Sequence, residues 1–120
     1  MKLALGTAQF GLNYGISNQT GQVTHEEVKA ILRHAKAIGI TTLDTATGYG
    51  ESEQRLGEIG ATDWKIVTKL PAIPENCTDI YQWVNNTVNG SLHRLKVNNL
   101  YGLLLHRPQQ LLEKDGDQLY

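Results

Sequence analysis

The chain has 120 residues, with 11 basic against 12 acidic side chains and a net charge of -1. That length fits one ordinary domain, and so even a balance of charge argues against nucleic acid or an anionic membrane surface as a partner. Hydrophobic residues make up 40% of the chain, enough for a core, but no apolar run approaches the ~20 residues of a membrane-spanning helix. The start, Met1 to Leu5, reaches Gly6 too soon for the core of a signal peptide. Cys77 is the single cysteine, so no internal disulfide can form, and the cytoplasm is the default compartment.

In chain order, the first apolar run is Leu3-Ala4-Leu5. A polar, glycine-rich stretch follows from Gln9 to Gln22, of a length that marks a functional or disordered loop. Thr24 with Glu27 reads as a capping box opening a helix. Val28, Ile31, Leu32, Ala35 and Ile38 then fall on one helical face, and Gly39 suits the stop. The second strand is Ile40 to Leu43, rich in β-branched residues, and it ends at Asp44. A short helix is predicted from about Ser52 to Ile59. The third strand, Trp64 to Thr68, ends at Lys69 and is broken by Pro71. The next helix, capped by Thr78, carries Ile80, Trp83, Val84, Thr87, Val88, Ser91, Leu92 and Leu95 on one face. The fourth strand runs from Leu100 to Leu105, ends at His106 and is stopped by Pro108. Strand and helix alternate throughout, which implies parallel strands covered by helices. An open sheet and a barrel both satisfy this pattern.

Three strands end in a titratable residue, Asp44, Lys69 and His106, and Tyr49 follows in the loop after the second strand. In parallel α/β architectures reacting groups gather at the C-terminal ends of strands. A carboxylate, a lysine, a phenol and an imidazole are thus expected at one mouth. This set suits the reduction of a carbonyl, in which a proton must reach the developing alkoxide. A phenol is ordinarily a poor acid near neutrality, and a neighbouring ammonium favours its ionised form. Lys69 is the candidate ammonium, Asp44 its partner, Tyr49 the acid, and His106 the donor that orients the carbonyl oxygen. Singly, each residue has an ordinary role: a turn cap, a loop aromatic, a strand-end charge, a core histidine. Together at successive strand ends they are far less easily accidental.

Other motifs are weaker. His25, His34 and His93 fall on predicted helices without zinc-ligand spacing, so no metal site is expected. Gly11 and Gly15 do not form a dinucleotide fingerprint, which requires Gly-x-Gly-x-x-Gly directly after a strand. Cys77 reads as inert.

The segments Leu5-Gly6-Thr7-Ala8, Leu43-Asp44-Thr45-Ala46 with Tyr49-Gly50, Ser52-Glu53 with Leu56-Gly57, Val67-Thr68-Lys69, Ser91-Leu92 with Arg94-Leu95, and Leu103-Leu104-Leu105-His106 resemble the aldo-keto reductases, in order and over nearly the whole chain. The resemblance implies an α/β fold, the N-terminal half of a (β/α)8 TIM barrel, with residues 1–120 forming a partial barrel domain. It implies an oxidoreductase that reduces an aldehyde or ketone with NADPH or NADH, and Asp44, Tyr49, Lys69 and His106 as its catalytic set. Gly6, Thr7 and Asp44 are the implied cofactor contacts, while Gln9, Phe10 and Tyr14 occupy a loop that lines the substrate pocket in relatives.

A complete barrel of this kind takes about 250 residues. The chain is therefore expected to be an N-terminal fragment, lacking most contacts to the adenine, ribose phosphate and diphosphate. Its two open sheet edges favour self-association. The partner expected in catalysis is a small carbonyl compound. The alternative reading is an inactive or regulatory binding protein on the same scaffold, since fold does not fix function.

Overall fold

The computed structural model describes residues 2–120. Four strands, β1 (Ala4–Gly6), β2 (Thr42–Asp44), β3 (Lys65–Leu70) and β4 (Gly102–Leu105), form one parallel sheet in the order β1-β2-β3-β4. This order settles the choice that periodicity leaves open. A doubly wound sheet reverses direction partway, so that its first strand lies inside. Here each strand lies beside its sequence neighbours, which is the winding of a barrel stave by stave.

Six helical segments connect the strands or follow them. They are α1 (Ala8–Gly11), α2 (His25–Ala37), α3 (Ser52–Ile59), α4 (Ile80–Leu95), the 3-10 helix η1 (Pro108–Leu112) and α5 (Gly116–Leu119). The capping box of α2 forms as predicted: Glu27 N donates to Thr24 Oγ1 at 3.3 Å, and Thr24 N donates to the Glu27 carboxylate at 2.9 Å. Hydrogen bonds from the Thr24 backbone N–H and hydroxyl hold the Glu27 carboxyl below its ordinary value. Gly39 follows the helix at a φ of +87°, a conformation that glycine adopts without strain.

The differences from expectation are local. α1 overlaps the start of the stretch from Gln9 read as loop, because four residues are too few for periodicity to register. The N-cap of α4 is Asp79, whose Oδ1 accepts from Gln82 N at 2.8 Å, in place of Thr78. Both residue types cap well, and the register of the helix decides between them. Ile38 is 61% exposed because α2 has already ended at Ala37.

The core lies between the sheet and the helices. Leu43 and Ile66 on one sheet face pack with Val28 and Leu32 of α2, Leu56 of α3 and Leu95 of α4. Each is at most 5% exposed, and burying a side chain of this size stabilises the fold by about 1.5–3 kcal/mol. The opposite face carries Gly6, Asp44, Val67 and Gly102 in register, with Lys69 beside Leu104. No helix among the described residues covers that face, which is where the lumen of a barrel lies. No helix among the described residues is long and apolar enough to cross a membrane.

Candidate active site

Alternation along β2 and β3 sends Asp44 and Lys69 to the uncovered face, since Leu43, Thr68 and Leu70 point to the helices. Lys69 Nζ donates to Asp44 Oδ1 at 2.8 Å and Oδ2 at 2.7 Å, and to the carbonyl of Thr45 at 2.9 Å. The Tyr49 hydroxyl stands 3.5 Å from the same nitrogen, whose distance to the phenol ring centroid is 5.0 Å. The Lys69 side chain is 15% exposed and that of Asp44 34%, so the ammonium is largely withdrawn from water and paired. His106, just beyond β4, meets the Tyr49 ring edge to face at a centroid separation of 5.7 Å and an angle of 86°. All four residues singled out from the sequence thus converge at the C-terminal ends of β2, β3 and β4.

The backbone under Tyr49 is tightly specified. Thr45 and Ser52 bracket the turn that carries it, and their hydroxyls lie 3.1 Å apart, fully buried. Ser52 Oγ also lies 2.9 Å from Thr7 Oγ1 and 3.1 Å from Thr7 O. Thr7 Oγ1 in turn donates to the carbonyl of Asp44 at 3.0 Å. One proton per hydroxyl then fixes the direction: Thr45 donates to Ser52, Ser52 to Thr7, and Thr7 to Asp44. Gly50 sits at a φ of +53° against Gly11. A Cβ on Gly11 would land on the Tyr49 carbonyl, and one on Gly50 would land on the Gly11 carbonyl. Only glycine permits this approach, which seats the first loop against the Tyr49 turn.

A second buried network supports β3 from behind. Glu53 is 1% exposed. Its carboxylate accepts from Thr68 Oγ1 at 2.7 Å and from Arg94 Nε at 2.8 Å. Arg94 Nη2 lies 2.7 Å from the same carboxylate and donates to Ser91 Oγ at 3.2 Å. Thr68 precedes Lys69, so this carboxylate ties α3 and α4 to the strand that presents the lysine. α3 and α4 themselves touch at Gly57, where a Cβ would collide with the Arg94 carbonyl.

The remaining sequence-predicted residues divide. Gly6, Thr7, Gln9, Phe10 and Tyr14 line a cavity of about 380 Å³ that Asp44 and Tyr49 share, within the range of small-molecule sites. Gly6 is open to it. Thr7 is fully buried: its hydroxyl and backbone N–H both donate to the Asp44 carbonyl at 3.0 Å, and its own carbonyl accepts from Phe10 N and Ser52 Oγ, so its polar groups are engaged within the fold. Phe10 is 3% exposed and packs in the core, whereas Tyr14 is 60% exposed at the rim. Gln9 holds the loop by donating to the Tyr14 carbonyl at 2.7 Å. His34 and His93 lie on the surface, and His25 is half-buried. The described residues contain no cluster of potential metal ligands. Sequence reading did not find the hydroxyl relay or the Glu53–Arg94 pair. Ser52-Glu53 and Arg94 stood out as motif residues, but pairing across 41 positions leaves no signal in spacing.

A model of the Aldo/keto reductase family matches residues 2–114. Among solved structures, a protein of Pseudomonas aeruginosa assigned as an aldo-keto reductase is 29% identical with a TM-score of 0.75, over 97% of this chain and 48% of that one. An aldo-keto reductase from Bacillus halodurans, 21% identical with a TM-score of 0.64 over 87% of this chain and 35% of its own, shares the fold. An uncharacterized oxidoreductase of Mycobacterium bovis is 30% identical in an alignment of 117 positions that covers 92% of this chain and 34% of that protein. The chain thus spans about a third of the length of the curated relatives it matches and about half of the Pseudomonas structure. Four parallel strands wound in sequence, the convergent residues at their ends and a family match over nearly the full length lead to one conclusion: this chain belongs to the aldo/keto reductase family and folds as half of a (β/α)8 barrel.

Proposed function

We propose that the chain carries the acid–base machinery of an NAD(P)H-dependent oxidoreductase that reduces an aldehyde or ketone to an alcohol. One observation supports this most: Lys69 Nζ is held by both oxygens of Asp44 and stands 3.5 Å from the Tyr49 hydroxyl. Tyr49 donates its proton to the developing alkoxide. The ammonium of Lys69 stabilises the phenolate left behind, and Asp44 fixes Lys69 in place through both carboxylate oxygens. Charged groups positioned in advance contribute most where charge develops in the transition state. His106 donates to the substrate oxygen and orients the carbonyl toward Tyr49.

NADPH or NADH is the cofactor implied by the family. The residues present fit its nicotinamide end. Gly6 closes β1 in register with Asp44, and a Cβ added there meets nothing within 4 Å. Gly6 and Asp44 would hold the nicotinamide there, with Thr7 fixing the Asp44 carbonyl from within the fold. When bound, it supplies hydride to the carbonyl carbon.

The test is a fluorescence titration with NADPH, followed by carbonyl-dependent NADPH oxidation, on the longest natural reading frame that contains this sequence. The expected result is cofactor binding by the parent and by Tyr49→Phe, with turnover in the variant lowered roughly 100- to 10,000-fold, the span of general acid catalysis. Failure to bind any nicotinamide cofactor would overturn the oxidoreductase reading and favour a binding role for the scaffold.

A further inference from the structure

Thr47 takes no part in the proton transfer, yet it is tied to both halves of the acid–base pair. It lies two residues before Tyr49, in the turn that carries the phenol. Its backbone N–H donates to the carbonyl of Lys69 at 3.3 Å. Its hydroxyl lies 3.3 Å from that of Ser91, which α4 presents at 1% exposure. Arg94 can only donate, so Ser91 accepts from it at 3.2 Å and keeps its own proton to offer Thr47.

From Arg94 the path continues without a gap. Its Nε donates to Glu53 Oε2 at 2.8 Å, and Nη2 stands 2.7 Å from the same oxygen. The other oxygen, Oε1, accepts from Thr68 Oγ1 at 2.7 Å. Thr68 is the residue before Lys69. The line Thr47–Ser91–Arg94–Glu53–Thr68 thus has one end in the turn of the acid and the other on the strand of the ammonium. Alternation turns Thr68 to the helices and Lys69 to the uncovered face, so the network acts on the pair from behind and touches neither the phenol nor the ammonium.

Core pinning explains part of this arrangement, because a buried carboxylate must be paired. It does not require Thr47, since the Glu53 carboxylate is already satisfied by Arg94 and Thr68. Extending the line to a hydroxyl in the Tyr49 turn adds a fixed distance. That distance matters: Lys69 Nζ stands 3.5 Å from the Tyr49 hydroxyl, at the outer limit of hydrogen bonding, and misplacing a reacting group by about 1 Å costs on the order of 100-fold in rate. The ends of β1 and β2, where the nicotinamide is assigned, are tied by a different set, Thr45, Ser52 and Thr7. The two networks share no side chain.

We infer that the Thr47–Ser91–Arg94–Glu53–Thr68 network sets the spacing of Tyr49 and Lys69, and that Thr47 is a positioning residue for the proton transfer. The effect on turnover rests on the reductase reading; the effect on the turn does not.

The test uses the longest natural reading frame that contains this sequence, with two variants. Thr47→Val keeps the shape of the side chain and removes the hydroxyl, and Thr47→Ser keeps the hydroxyl. Thr47→Val should lower kcat about 10-fold, as a drift of less than about 1 Å would, with the KM for NADPH unchanged. Thr47→Ser should recover most of the loss. Hydrogen exchange supplies a reading that needs no turnover. Protection of the Thr47 and Tyr49 amides, which donate to the carbonyls of Lys69 and Ala46, should fall in Thr47→Val and not in Thr47→Ser, while that of Val28 in α2 stays at the parent's level. A parental kcat in Thr47→Val, a loss shared between kcat and the KM for NADPH, or equal losses in both variants would each contradict the proposal. A parent without NADPH turnover defeats the reductase reading instead, and exchange alone then decides: unchanged protection of the turn in Thr47→Val ends the proposal, and faster exchange confined to the turn upholds it.

Discussion

The β2–β3 pair and β4 lie in the same sheet but are held in opposite ways. β2 and β3 have a strand on either side and helices behind them, and Leu43, Ile66 and Thr68 are at most 2% exposed. Their ends are pinned as well: Thr45 N donates to Val67 O at 2.9 Å, and Lys69 reaches back to Asp44 and Thr45. β4 has one neighbour, and Leu103 and Leu104 are 41% and 49% exposed. His106 at its end is exposed and meets the other site residues through a T-shaped contact with the Tyr49 ring. The charged part of the site is therefore complete within the closed part of the sheet. The group assigned to orient the substrate sits at the open edge, beside the place of the next strand.

The largest expected effect comes from removing the phenol. Tyr49→Phe should abolish nearly all turnover while leaving the far-UV circular dichroism unchanged, since the hydrogen bonds of Lys69 to Asp44 and Thr45 do not depend on that hydroxyl. Next is the buried network behind β3. Arg94→Leu strands the Glu53 carboxylate at 1% exposure, and leaving a buried charge unpaired destabilises by about 3 kcal/mol, measurable by urea denaturation. Gly57→Ala forces α3 away from the Arg94 carbonyl, and overpacking of this kind costs about 1–3 kcal/mol. The smallest change is expected on the open side. Leu104→Lys should alter the stability of the monomer by less than about 0.5 kcal/mol, as exposed sites usually do. A loss comparable to that of Arg94→Leu would mean that β4 is held as firmly as β3, and the contrast would fail.

Much of this contrast is legible in the sequence. The β-branched runs, the capping box at Thr24 and the titratable residues at strand ends have local causes, and each lies where its pattern indicates. Strand limits shift by at most two residues. Lys69, read as the residue after its strand, lies within β3, because the hydrogen bonds that define a strand belong to its neighbour as much as to itself. Wholly non-local features leave no trace in spacing. The Thr45–Ser52–Thr7 relay spans 45 positions, and the seating of Gly11 on the Tyr49 turn joins two loops that nothing in the sequence pairs. The choice between sheet and barrel likewise became visible only in the strand order.

The central claim is that the Asp44–Lys69 pair acts through Tyr49. The most direct test is carbonyl-dependent NADPH oxidation by the longest natural reading frame, comparing the parent with Lys69→Met. The account predicts a loss of roughly 100- to 10,000-fold in turnover with NADPH affinity retained in the fluorescence titration. Turnover in Lys69→Met within a few-fold of the parent would contradict it, because the phenol would then be acting without the ammonium placed 3.5 Å away.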